Sequence, residues 1–403
     1  MDRVTVVHII TKLELGGAQE NTLFTVAHLS RIKYDPMLIS GTDGMLVEDA
    51  RKLTGVGLFL IPELVREIRP LKDFIAFLKM VGVLRRLQQG KWSRGGNNHH
   101  DIIVHTHSSK AGILGRWAAK IAGVACIVHS VHGFSFHKYQ PSLVRAFYIF
   151  MERLTACITT AFIVVSNANR EEGIQRKIFT ADKVSLIRSG IDIGSFQAVN
   201  CDKMAIRAGV GIEKNGPLVA MIACFKPQKA PLDFIRVARL VLDDLHEVQF
   251  LLVGDGVLRP RIEALINELG MSAQVHLAGW RRDIPQIMHS IDVLVLTSLW
   301  EGLPRVIPQA MAAGIPVVAS DVDGSGEAIR DGVNGFILHP GDIAGMAGKV
   351  IYLLKHPEQA HAMGAKGRGM VEEYDSWKMV EQQEKLYASL MRTNGIEDHC
   401  LCL

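Results

Sequence analysis

The 403-residue sequence has no C-x-x-C pair among its six cysteines (Cys126, Cys157, Cys201, Cys224, Cys400 and Cys402) and no spacing that builds a zinc site. Thiols scattered through a chain of this length fit a reducing compartment, and a disulfide scaffold is excluded. An excess of one charge is missing too. The 45 basic and 41 acidic side chains leave +4, too little to argue for nucleic acid. No uncharged run is long enough to span a bilayer: even "AFYIFMERLTACITTAFIVV" is broken by Glu152 and Arg153. The opening "MDRVTVVHIITKLELGG" has an apolar run without a cleavage-site pattern and reads as a first strand, not a signal peptide. Solenoid repeats and low-complexity tracts are absent. What remains is a cytoplasmic enzyme, able to sit at the inner face of the membrane.

What is present is core-forming material: 48% of residues are hydrophobic and 21% charged. Short β-branched runs alternate with helical segments throughout. Strands are expected at 4–10, 36–40, 56–61, 101–107, 126–132 and 161–166, then at 218–224, 248–254, 274–279, 292–298, 316–320 and 335–340. Most lack strict alternation, as parallel strands covered on both faces do. The pattern predicts an α/β protein of two doubly wound, Rossmann-like parallel-sheet domains. They are expected over 1–195 and 196–403, the second ending in a helix over 375–392 that Asp375 caps. "RGGNNHH" (94–100) delays the fourth strand. The final "CLCL" formally fits a prenylation pattern and is read as a tail.

Ligands of open parallel sheets bind beyond the carboxyl ends of the strands, which selects certain loops. Gly16 and Gly17 follow the first strand, where small residues and a helix N-terminus suit an anion; the motif is not G-x-G-x-x-G, which disfavours a dinucleotide. His132 stands at a strand end before Gly133 and can bond a sugar hydroxyl or a phosphate oxygen as readily as it can be structural. His105, His107 and His129 are assigned to alternate strand faces, not to one metal. Lys226 and Lys229 follow the first strand of the second half and suit a diphosphate. Gly254 and Gly256 make a turn that admits a flat ring or a phosphate. In "SLWEGLPRVIPQAMAAGIPVVAS" (298–320), Glu301 lies on a loop with Gly302, Leu303 and Pro304, and Gln309 lies on the next helix, which Gly314 closes. A carboxylate and an amide suit vicinal hydroxyls. "DVDG" (321–324) contains an acid-x-acid pair in a Gly-rich turn and carries little weight as a metal site.

The order and spacing of these pieces (GGA, "HSSKAGILGRWAAKIAGV", "VHGF", "SGID", "PQK", "LVGDG", "AGWRRDIP" and "WEGLPRVIPQAMAAGIPVVASDVDG") resemble the retaining glycosyltransferase family 4. These are the group 1 transferases of GT-B fold, whose two domains face a cleft. The resemblance covers nearly the whole chain. It implies a nucleotide-sugar donor, UDP- or GDP-linked, and a lipid-linked, polysaccharide or other glycan acceptor. It implies transfer with retained configuration and neither cofactor nor metal. In the family's Glu-x7-Glu motif, Glu301 matches the acid that touches the sugar, while Gln309 replaces the acid on the ribose. In its Arg-x4-Lys pattern Lys229 matches, but Cys224 stands in place of the Arg, and Lys226 is the substitute. His132 matches the histidine near the donor sugar, Gly16 and Gly17 the loop beside the diphosphate, and Glu327 an acid after the Gly-rich turn. Glu301, His132 and Lys229 are therefore the expected catalytic residues. Gly16, Gly17, Lys226, Gly254, Gly256, Gly302, Leu303, Pro304 and Gln309 complete the expected donor site. Two alternatives share the architecture: a nucleotide-sugar 2-epimerase, which the group 1 motifs oppose, and a non-catalytic sugar-nucleotide-binding protein, which Gln309 and Cys224 keep open.

One helix is expected to reach beyond the site. Residues 64–94 hold eight Lys or Arg against two acids. Within "LKDFIAFLKMVGVLRRL", Leu71, Phe74, Ile75, Leu78 and Val81 are expected to bury against the sheet. Lys72, Lys79 and Arg86 form a basic stripe, and Phe77, Met80, Leu84 and Leu87 a second apolar strip. The stripe fits contact with an anionic membrane as well as it fits an ordinary surface.

Overall fold

The structure, a computed structural model, describes residues 3–90, 101–199, 201–213 and 216–393. The 94–100 loop and the terminal CLCL lie outside the described residues. The chain forms two units, Met1–Gly190 with Ser376–Leu403, and Ile191–Asp375.

The first unit is built on β1 (Val4–Ile9), β2 (Tyr34–Ser40), β3 (Gly57–Leu60), β4 (Ile102–His107), β5 (Cys126–Val131), β6 (Ala161–Val164) and β7 (Val184–Leu186). They form one sheet in the order β3-β2-β1-β4-β5-β6-β7, and every pairing is parallel. Helical crossovers place apolar cover on both faces, which is why the strands read as continuous apolar runs. On one face Val7, Ile9 and Val104 pack with Ala76, Met80, Val81, Leu84 and Leu87 of the Pro70–Gln88 helix. On the other, Val4, Val6, Ile103 and Val128 pack with Met379, Val380 and Tyr387 of the Ser376–Thr393 helix.

That last contact corrects the expected division of the chain. The terminal helix, assigned from the sequence to the second domain, belongs to the first, and the chain leaves the first unit at Gly190, five residues before the expected seam. Its apolar stripe completes the core of the first sheet. Two bonds pin it there: Glu384 Oε1 accepts from Ser30 N at 2.7 Å, and Glu384 O accepts from Tyr34 Oη at 3.2 Å.

A second correction concerns the Pro70–Gln88 helix. Leu71 (82% exposed), Phe74 (60%) and Leu78 (51%) face solvent, with Ile75 beside them. The strip of Met80, Leu84 and Leu87 is the buried one. Helical spacing marks both strips but does not say which one the sheet takes. The Ser142–Ala156 helix repeats the theme, exposing Leu143, Phe147, Phe150 and Leu154 at i, i+4, i+7 and i+11. The Ser109–Ala122 helix packs against both.

The second unit has β8 (Leu218–Ile222), β9 (Gln249–Val253), β10 (Val275–Gly279), β11 (Val293–Leu296), β12 (Val317–Ser320) and β13 (Gly335–Leu338). Their order is β10-β9-β8-β11-β12-β13, again all parallel. Each sheet has one point where strand order reverses, between β1 and β4 and between β8 and β11. Those are the places where open α/β sheets leave a crevice.

Candidate active site

In the second unit the loops leaving β8 and β11 converge at the reversal point. Lys229 ends the short Pro227–Lys229 turn after β8, and its ammonium pairs with the Glu301 carboxylate on the loop after β11. The two residues lie 72 positions apart in sequence. Glu301 is 7% exposed. A carboxylate that deeply placed is tolerated because it is paired and hydrogen-bonded.

Backbone stitching fixes the pair. Thr297 Oγ1 donates to Lys229 O (3.1 Å) and Ala230 O (2.9 Å), Gln228 Nε2 donates to Trp300 O (2.9 Å), and Leu299 N donates to Gln228 O (2.8 Å). Asp323 Oδ2 accepts the Glu301 N–H at 2.6 Å, and Gly302 O accepts Gly324 N at 2.9 Å. The loop after β12 is thereby tied in as well. Asp323 of the "DVDG" turn thus serves the Glu301 backbone.

Glycine at 254 has a local cause. Its φ is 129°, and a Cβ there would meet Ala223 O at 2.0 Å; at Gly256 a Cβ would meet Phe225 O at 2.7 Å. Both glycines let the β9 turn press on the loop that carries Cys224, Lys226 and Lys229. Leu303 and Pro304 are buried beside Glu301, and Glu327 falls in the short Ser325–Ala328 helix. Among the described residues four non-glycines have positive φ, and three of them stand in loops at the carboxyl ends of strands: Ser108 after β4, Ala230 after Lys229, and Asp323 after β12. Such strain collects at ligand sites.

Gln309 lies half-buried on the Val306–Ala313 helix, which Gly314 (φ 75°) ends as expected. Gln309→Glu should keep kcat/KM within about threefold of the parent, since either side chain accepts a hydroxyl hydrogen bond. Steady-state kinetics with the nucleotide sugar checks this, and a collapse would give Gln309 a different task.

In the first unit, Gly16 and Gly17 form the N-cap and first residue of the Gly17–His28 helix after β1. The φ of Gly16 is 179°, extended backbone, so small size and not left-handed geometry is what glycine supplies there. His132 follows β5, and its Nε2 lies 3.1 Å from Nδ1 of His107. The assignment of His105 and His107 to alternate faces is overturned: side chains two apart on a strand share a face. His8, pairing with His105 across β1 and β4, joins them. The three rings are fully buried and bring ligand-capable nitrogens within 4.8 Å of one another. His129 does face the other way, its Nδ1 2.9 Å from Thr106 Oγ1. Burial lowers the pKa of His8 to about 3 and holds those of His105, His107 and His129 well below the usual imidazole range. All four are neutral. The sequence signal for the cluster was a histidine inside each of two otherwise apolar runs, "VVHII" and "IIVHTH".

Comparison with known proteins adds to this geometry. Residues 15–195 match the pattern of Glycosyltransferase Family 4, and residues 202–370 that of Glycosyl transferases group 1. The Escherichia coli UDP-Gal:alpha-D-GlcNAc-diphosphoundecaprenol alpha-1,3-galactosyltransferase is 32% identical over 345 residues, 85% of each chain. The putative glycosyltransferase EpsD of Bacillus subtilis is 28% identical over 295 residues, 72% of this chain and 77% of its own. Among solved structures, Anabaena HepE in complex with UDP and glucose superposes with a TM-score of 0.80 at 21% identity, covering 96% of this chain and all of HepE. That likeness speaks to the fold, which is GT-B.

Proposed function

The chain belongs to glycosyltransferase family 4, the group 1 glycosyltransferases, and from that premise we propose that it moves a hexose, with retained configuration and without a metal, from a UDP-sugar to a prenyl-diphosphate-linked glycan. The observation that carries the reading is the Lys229–Glu301 pair at the β8/β11 reversal. Lys229, with Lys226 on the same loop, offers cationic charge to a diphosphate leaving group, and Glu301 accepts hydrogen bonds from hydroxyls of the donor sugar. Gln309 accepts from the ribose, and His132 is carried over from the family pattern as a ligand of the donor sugar. In the reaction the bond from the anomeric carbon to the diphosphate oxygen breaks. The acceptor oxygen bonds to the same face, and its proton passes to the departing diphosphate.

Uridine is favoured over guanosine by the E. coli relative, named for UDP-Gal, and by the fold neighbour that holds UDP. The diphosphoundecaprenol in the relative's name favours a lipid-linked acceptor. A screen of UDP- and GDP-sugars with excess EDTA, read by nucleotide release, tests donor and metal together. UDP release that survives EDTA is expected. Preference for GDP-sugars, or loss with EDTA and recovery with a divalent ion, contradicts it.

A lipid-linked acceptor requires reach to a membrane. Among the described residues no helix is long and apolar enough to cross one. The exposed strips Leu71/Phe74/Leu78 and Leu143/Phe147/Phe150 offer reversible contact instead. The basic stripe adds roughly 1 kcal/mol per exposed cation. Lys79 adds less, because Glu63 holds it at 2.7 Å. Sedimentation with anionic liposomes should show binding at low salt that weakens as salt rises. Replacing Leu71, Phe74 and Leu78 by Ser, or Lys72 and Arg86 by Glu, should cut the bound fraction severalfold. Absence of binding at low salt would rule out the membrane contact.

A further inference from the structure

A left-handed backbone position ordinarily goes to glycine, because a Cβ there crowds the neighbouring carbonyl. Residue 323 has φ 43° and is an aspartate. Glycine is at hand but one place later: Gly324 has φ −70°, where any residue fits. A side chain kept at such a position against the preference of its backbone has work to do there. Ala230, at φ 44° beside Lys229, offers the contrast: its methyl can bond nothing, and Thr297 holds its carbonyl instead.

The work of Asp323 is on the Glu301 loop. Three backbone groups of that loop are tied to the chain around it. Leu299 N donates to Gln228 O at 2.8 Å, Trp300 O accepts from Gln228 Nε2 at 2.9 Å, and Gly302 O accepts from Gly324 N at 2.9 Å. The amide of Glu301 itself donates to Asp323 Oδ2, 22 residues on, at 2.6 Å. Glu301 is buried, so its N–H cannot exchange that acceptor for bulk water without the loop moving. A carboxylate acceptor also makes the bond charge-assisted, which shortens and strengthens it.

We propose that Asp323 is a positioning residue for transfer, accepting a strained backbone in order to fix the peptide of Glu301 and thereby the direction of the Glu301 carboxylate toward Lys229 and the donor sugar. The inference rests on the reading of Glu301 as a donor-site residue. Without the Asp323 carboxylate the Glu301 peptide turns in search of another acceptor, and the side chain it carries leaves its place opposite Lys229. Asparagine keeps an acceptor oxygen and tolerates the left-handed region. Alanine keeps the strain and loses the bond, and glycine loses both.

The three replacements therefore separate the bond from the strain. Asp323→Asn should keep kcat within about threefold of the parent, while Asp323→Gly and Asp323→Ala should each lower it roughly tenfold with donor KM little changed. Asp323→Gly should melt a few degrees above Asp323→Ala and be no more active. Amide hydrogen exchange at Glu301, followed by NMR on the full chain, should be slow in the parent and in Asp323→Asn. It should be at least tenfold faster in the other two. Because Asp323 acts through Glu301, the double variant Glu301→Gln/Asp323→Gly should turn over no more slowly than Glu301→Gln alone. A merely structural role would move melting and leave the exchange at Glu301 and this non-additivity unmoved. Parent-like kcat in both Asp323→Gly and Asp323→Ala, unchanged exchange at Glu301, an Asp323→Asn as slow as Asp323→Gly, or full additivity in the double variant would overturn the proposal. Failure of the donor-site reading has its own mark: Glu301→Gln would then turn over like the parent, while Asp323→Gly still sped exchange at Glu301.

Discussion

Glu301→Gln is expected to lower turnover by about 10²-fold, and Lys229→Met by about 10²–10³-fold, while the second unit stays folded. The first figure corresponds to loss of the charge-assisted hydrogen bond proposed between Glu301 and the donor, worth about 1.5–3 kcal/mol. The second is the loss typical of removing one preorganised group from a developing negative charge. Gln at 301 keeps the shape and a hydrogen bond to Lys229, so the change is electrostatic. Melting of the variant should cost only about 1–2 kcal/mol, which separates a chemical defect from a folding defect. Turnover near the parent level in Glu301→Gln would remove the pair from the donor site.

The second large effect is on acid stability. His8, His105, His107 and His129 are held neutral by burial in the folded first unit, and on unfolding each returns to its ordinary pKa of 6.5. The unfolded chain therefore binds more protons wherever the pH is below that value. Stability is full above about pH 7 and falls as the pH drops through 6.5 toward the folded values. Each histidine contributes a slope approaching 1.4 kcal/mol per pH unit. Four of them remove about 5 kcal/mol between pH 7.5 and 5.5, a large share of the roughly 5–15 kcal/mol that a domain has. Urea unfolding followed on the first unit at both pH values checks this. A change below about 1 kcal/mol would mean that the rings are hydrated or already charged.

Much of the fold is legible in the sequence because parallel strands announce themselves by composition. All twelve strand segments expected from the residue pattern exist, and β7 lies in the "VSLIRSG" stretch before the seam. Which surface an amphipathic helix covers is not written locally. The Ser376–Thr393 helix has an apolar stripe that suits either sheet, and only packing of Met379, Val380 and Tyr387 against Val4 and Val6 decides for the first. For the same reason the two strips of the Pro70–Gln88 helix could not be ranked from their spacing. At the site, the strand-end rule picked the loops of Lys229 and Glu301 without revealing that the side chains meet. The histidine cluster is only partly written locally: His105 and His107 are two apart, which on a strand means one face, and His8 enters from β1 through register alone.

The measurement that tests the central claim most directly is transfer of a labelled hexose from its UDP-sugar to a GlcNAc-diphosphoprenol acceptor, with the new linkage read by NMR. The expected product keeps the donor's α configuration, forms only with acceptor present and falls to near background in Lys229→Met. A β linkage, or undiminished transfer in Lys229→Met, would contradict it.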